Sequence, residues 1–134
     1  MKKLFFLFLL SSILIGPACD KNDNPLTNSY PKEVTVEYRA TVVSGSVAKA
    51  VNISYVNATG GDTNVSDASF PFKISFKRTV NRGDYLTIGI LVNNSATPGT
   101  FSIKLEILLD GKVVQSETNT SNNSMNEALV HLFI

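Results

Sequence analysis

Between Phe101 and Val114 the chain reads F-S-I-K-L-E-I-L-L-D-G-K-V-V, and this stretch limits the possible folds more than any other. Phe101, Ile103, Leu105, Ile107 and Leu109 alternate with Ser102, Lys104 and Glu106, which is the period-two pattern of a strand with one buried face. Asp110-Gly111 then precedes a second β-branched run. A two-residue Asp-Gly connection between such runs predicts a tight hairpin, because both residues tolerate the positive φ that matches strand twist. Once this turn is set, so is the register, and the rest of the chain must supply partners for the two strands.

Those partners are present along the sequence. Val34, Val36, Tyr38, Ala40 and Val42 alternate with Thr35, Glu37, Arg39 and Thr41. A second strand is expected over 47–56, with Val51, Ile53 and Tyr55 on one face. Asn57 to Asp62 carries Gly60-Gly61 and reads as a loop, since paired glycines lose more entropy than a strand position recovers. Val65 marks a short edge strand within 63–69. Phe70, Phe72, Ile74 and Phe76 form an aromatic face, with Pro71 near the strand's start, where a missing amide is tolerable outside the ladder. Within 78–84, Asn81-Arg82-Gly83-Asp84 reads as a turn. It leads into Leu86, Ile88, Ile90 and Val92 on one face, with Leu91 opposite and expected to be partly covered.

The hairpin's return strand is expected to dissolve near Thr118 into an Asn- and Ser-rich stretch. The final strand, 127–134, offers Ala128, Val130, Leu132 and Ile134 on one face and Leu129, His131 and Phe133 on the other. Apolar residues on both faces require a central or covered strand, or else an exposed side that serves as a docking surface. The pattern as a whole predicts an all-β, immunoglobulin-like two-sheet antiparallel β-sandwich of seven or eight strands. Its expected core is Val36, Tyr38, Val51, Ile53, Phe72, Ile74, Ile88, Ile90, Ile103, Leu105, Ile107 and Val130.

Upstream of the domain, Lys2 and Lys3 precede an apolar run from Leu4 to Ile15, then Gly16-Pro17-Ala18 and Cys19, the chain's one cysteine. This reads as a lipoprotein-type export signal over 1–18, with Cys19 the lipidated first mature residue. Ordinary signal cleavage and an uncleaved anchor are the alternatives. Residues 19–32, with Asn, Pro, Ser and charge intermixed, read as a lipid-anchored flexible linker, in which Tyr30 is either pinned to the domain edge or loose. The domain itself is expected over 33–134. Without Lys2 and Lys3, the 12 basic and 11 acidic side chains leave a slight negative excess, so no nucleic-acid footprint and no polybasic lipid patch are visible. Attachment to the membrane is expected through the lipid on Cys19, placing the protein in a bacterial cell envelope at the outer membrane.

The ordered series V-E-Y-R-A-T-V-V, V-N-I-S-Y-V-N-A-T-G-G, the Phe70 to Phe76 strand, the Gly83-Asp84 turn into L-T-I-G-I, and I-K-L-E-I-L-L-D-G-K-V-V-Q-S resembles the extracytoplasmic domain of the small mycobacterial membrane protein family, MmpS, and related small lipoproteins of Bacteroidetes. The resemblance covers nearly all of 33–134. It implies a β-sandwich outside the inner membrane and, for the mycobacterial members, an accessory role beside large lipid- or siderophore-exporting transporters. This chain departs from it in lacking a transmembrane helix of its own and a cysteine pair, which Lys104 or Leu105 and the C-terminal strand would have to supply.

Little in the sequence suggests chemistry. His131 is the one histidine, so zinc, copper and histidine-dependent hydrolase sites have too few ligands or bases. Asp62, Asp67, Asp84 and Asp110 fall in turns, where Asp caps nearby amides. Asp62, Asn64 and Asp67 are the best calcium candidates, although they lack the ligand periodicity and terminal Glu of a dedicated loop. There is no Trp to build a sugar platform. No enzyme activity, transition metal, cofactor or small-molecule substrate is expected. The expected function is a non-catalytic lipoprotein domain contacting another envelope protein, as an accessory to a transporter or to envelope assembly. The alternative is a binding module for a small ligand, peptide or glycan. The first calls for an apolar patch near a sheet edge, the second for a concave pocket, and a hydrolase for clustered carboxylates.

Overall fold

In the computed structural model, which describes residues 29–96 and 99–134, the predicted hairpin is formed as the sequence requires. β6 (Phe101–Leu109) and β7 (Lys112–Ser121) are joined by Asp110 and Gly111 at φ 50 and 79, and Leu109 pairs with Lys112 across the turn, but a bulge between Ile107 and Leu108 shifts the register the turn alone would set, so that Ile107 faces Gln115. The preceding strands are β1 (Lys32–Ser44), β2 (Asn52–Val56), β3 (Asp62–Ser66), β4 (Phe72–Val80) and β5 (Tyr85–Asn93), and β8 (Ser124–Leu132) follows. All pair antiparallel, in two four-stranded sheets ordered β4-β1-β6-β7 and β3-β2-β5-β8. The described residues contain no helix. This is the two-sheet sandwich that the alternation predicts, with eight strands.

The core lies between the sheets. Val34, Val36, Tyr38 and Ala40 of β1, Leu86, Ile88, Ile90 and Val92 of β5, and Phe101, Ile103, Leu105 and Ile107 of β6 are buried there. These are the strands whose alternation is cleanest in the sequence, and β1, β5 and β6 each have a neighbour on both sides. β4 is an edge strand, so its Phe72, Ile74 and Phe76 are half-buried instead of central, packing as a rim with Tyr55 and Val65.

Four expectations are corrected. Val51 is 45% exposed because β2 begins only at Asn52 and the chain bends at Val51, whose amide bonds the carbonyl of Leu91. Val130 is 52% exposed because β8 turns its other face inward, burying Met125, Leu129 and Phe133. Leu91, expected to be partly covered, is 41% exposed. The Asn- and Ser-rich stretch does not dissolve, since β7 continues to Ser121 and β8 starts at Ser124. Cross-strand pairing carries these polar residues, with Ser102 and Thr120 hydroxyls bonded at 2.7 Å.

Candidate functional site

The two outer faces of the sandwich differ in kind. Register shows which residues share each face, since residues paired directly across antiparallel strands point the same way. On the β4-β1-β6-β7 sheet the outward residues include Glu33, Glu37, Arg39, Lys73, Lys77, Lys104 and Glu106. They are bonded into pairs. Lys77 reaches Glu33 at 3.0 Å, Lys73 reaches Glu37 at 3.2 Å, Arg39 bonds the same Glu37, and Lys104 reaches Glu106 at 2.6 Å. Burial raises the Glu37 carboxyl, but the hydrogen bonds and charges of Lys73 and Arg39 outweigh it and hold the group below its ordinary range. A face of this composition is at home in water.

On the opposite sheet, the pairs Tyr85↔Leu132, Thr87↔Val130, Gly89↔Ala128 and Leu91↔Asn126 point outward, continued by Asn52 and Ser54 of β2 and by Asn64 and Ser66 of β3. Asp62, at the far corner, is the one charged side chain across these outward positions. Tyr85, Leu91, Val130 and Leu132 are all exposed. The register therefore assembles an uncharged, partly apolar surface along β5 and the edge strand β8, which is the composition of an interface centre and not of a solvated face. Of the alternatives that apolar residues on both faces of the last strand allow, β8 is neither central nor covered on this side.

A groove of about 770 Å³ opens at one end of the sandwich, lined by Thr41, Val42, the 45–49 segment, Phe70, Pro71, Asn93 and Asn94. It is the concave site that a ligand-binding reading requires. Sequence reasoning misses it, because alternation places Val47 and Phe70 on strand faces and both lie outside the strands. Gly45, at φ 80, is the one visible signal, since a Cβ there would lie 2.5 Å from the Thr100 carbonyl oxygen.

The chain enters at the other end. Tyr30 is pinned, its ring edge-on to Phe133 at 6.4 Å between centroids and its hydroxyl 3.4 Å from the Ile134 carbonyl, with Lys32 over both rings. His131 packs edge-on to Phe133 at 5.0 Å, and burial, with Lys32 nearby, lowers its pKa below the ordinary 6.5.

The calcium candidates are not brought together. Asp62 and Asp67 lie at opposite ends of β3, roughly 16 Å apart along the strand. Asn64 between them accepts from Asn52 at 3.1 Å. Asp67 takes φ 52 just past β3, and its main-chain amide donates to the Val51 carbonyl. The Asp84 and Asp110 carboxylates instead accept from the amides of Asn81 and Thr35. Among the described residues no three His, Cys, Asp or Glu side chains converge. Cys19 lies outside the described residues, and no helix among them is long and apolar enough to cross a membrane.

The model of a family described as Mycobacterium membrane protein matches residues 9–132, so the match includes part of the apolar N-terminal run as well as the sandwich. The family-level resemblance carried by the strand series is borne out. No curated protein matches the chain.

Proposed function

The chain belongs to the Mycobacterium membrane protein family, and from that premise we propose that it is a non-catalytic accessory domain of a bacterial envelope, held to a membrane and contacting a larger envelope protein. In this reading residues 1–18 are an export signal of the Bacteroidetes lipoprotein type, Cys19 carries the lipid, and the chain from Cys19 up to the pinned Tyr30 tethers the sandwich to the outer membrane. Acyl chains on Cys19 would be the main attachment, since the leader is removed and several chains hold far better than one.

The carrying observation is the contrast between the two faces. A soluble domain with no partner gains nothing by exposing Tyr85, Leu91, Val130 and Leu132 on a surface stripped of charge while gathering its charges on the opposite face. The uncharged β5–β8 face is the contact surface, with the edge of β8 available to extend it.

The test is cross-linking in native membranes, with a photoreactive residue placed at Val130 or, as a control, at Lys73 on the charged face. One envelope protein captured from Val130 and not from Lys73, with an acylated Cys19 peptide in the same digest, supports both parts of the reading. Equal capture from both positions overturns the face assignment, and an unmodified Cys19 peptide overturns the anchor. Leu132→Asp, on the same face and 54% exposed, with the photoreactive residue kept at Val130, should abolish the capture and leave the fold intact.

A further inference from the structure

A second feature lies at the end of the sandwich away from the entry of the chain, and it does not depend on the β5–β8 face. β4 pairs with β1 from Lys32↔Val80 to Ala40↔Phe72 and stops there. β1 continues to Ser44, paired only on its β6 side. The cause is local. Pro71 has no amide to extend the ladder, and Phe70 donates its amide to the Ala48 carbonyl at 3.1 Å, which carries the chain away from β1.

The direction of the unpaired groups follows from strand alternation. Thr35 points its main-chain groups at the β6–β7 turn, donating to Asp110 Oδ1 and accepting from the Asp110 amide, both at 2.8 Å. Val36, one residue on, has its carbonyl on the β4 side, where Ser75 Oγ donates to it at 3.1 Å. Continuing the alternation puts the N–H and C=O of Val42 on the β4 side, beyond the last β1–β4 pair and in the wall of the groove. Val47 and Phe70 supply apolar lining beside it. Lys49 is exposed at the same groove and makes no ion pair among the described residues.

We propose that this groove binds an extended peptide segment, which adds as a short strand to the free edge of β1 beyond Ala40, sets an apolar side chain against Val47 and Phe70, and places a carboxylate at Lys49. A strand edge, an apolar recess and one uncompensated cation call for a ligand with main-chain amides, apolar side chains and negative charge. An acyl chain would fill the recess but leave the Val42 amide and carbonyl unmet. The groove's volume falls within the about 300–1,000 Å³ usual for ligand sites.

The test uses the full chain in mild detergent and a labelled, end-blocked six-residue peptide alternating valine with glutamate, followed by fluorescence anisotropy. Saturable binding is expected, weakened by about tenfold or more when alternate peptide amides are methylated, because edge pairing is then lost. Lys49→Glu, at an exposed position, should reverse the preference toward a peptide alternating valine with lysine, and Val130→Asp should leave binding unchanged. Equal binding of the methylated peptide overturns the strand-addition geometry. Binding of a fluorescent fatty acid with none of the peptide overturns the assignment of ligand class.

Discussion

The hydroxyl of Tyr38 in β1 donates to the carbonyl of Val56 in β2 at 2.9 Å, a buried hydrogen bond that ties one sheet of the sandwich to the other. The Tyr38 ring also lies against Tyr55 and Phe76, with centroids 5.5 and 6.0 Å away, so the strand's sole inward aromatic is fixed at both its ring and its tip. Burial pushes its phenol far above the ordinary range, and it stays neutral and donating at any physiological pH. Tyr38→Phe keeps the ring and deletes the donor. It should lower stability by about 1 to 2 kcal/mol, read as a drop in the urea midpoint at unchanged slope.

Ile107 and Val130 look alike in the sequence, as apolar members of alternating strands, yet one is fully buried and the other half in water. Ile107→Ala should cost about 2 to 5 kcal/mol through lost burial and the cavity left behind. Val130→Ala should change stability by no more than about 0.5 kcal/mol. Comparable losses in the two denaturation curves would contradict an inward face of β8 built on Leu129 and Phe133.

His131 should make stability decline as the pH falls through its ordinary 6.5. Its folded-state pKa lies below 6.5, first through burial and then through Lys32. On lowering the pH, the unfolded chain therefore takes up a proton before the folded one does, and the stability present above 6.5 is lost as the pH falls. Glu37, also lowered in the folded state, adds a second loss below its ordinary 4.5. His131→Gln should remove the first decline and leave the second, as measured by urea midpoints across the pH range.

Gly45 and Gly83 both hold positive φ, at 80 and 89, but only Gly45 is crowded, since a Cβ added there would stand 2.5 Å from the Thr100 carbonyl and 2.7 Å from Phe101. Gly83→Ala should cost about 1 kcal/mol from backbone strain alone. Gly45→Ala adds a clash with main chain and should cost clearly more, with the larger drop in melting temperature.

Millimolar calcium should leave the melting temperature unchanged within about 1 °C, because a ligand stabilises only a fold that offers it a site. Asp62 and Asp67 sit at opposite ends of β3, and Asn64 already bonds Asn52. A calcium-dependent rise that Asp62→Asn removes would restore these residues as ligands.

The elements most legible in the sequence are those with strict alternation and a neighbour on each side. β1, β5 and β6 bury the residues that the pattern marks, and the Asp110-Gly111 turn has the backbone its residues favour. Legibility is weakest where one strand carries two apolar faces or where a loop meets a strand. On β8, Ala128, Val130 and Leu132 compete with Leu129 and Phe133, and periodicity alone has no means of choosing between them. Packing chooses the side on which Phe133 and Leu129 enter the core, and so leaves the smaller members to face outward. The exposed apolar face of β8 is thus half visible in the sequence, as a strand with one face too many. The groove is not visible there, since it arises from where β4 ends relative to β1.

By itself the sequence determined the strand period, the Asp110-Gly111 turn and the two-sheet character of the chain, because these depend on side-chain alternation and turn chemistry within a few residues. Only the tertiary structure decided which apolar face of β8 is covered, that the charges of β1, β4 and β6 gather on one side, and that β1 outruns β4 at Ala40. Those are properties of pairing between segments far apart in the chain. Strand order sets them, and no local pattern encodes it.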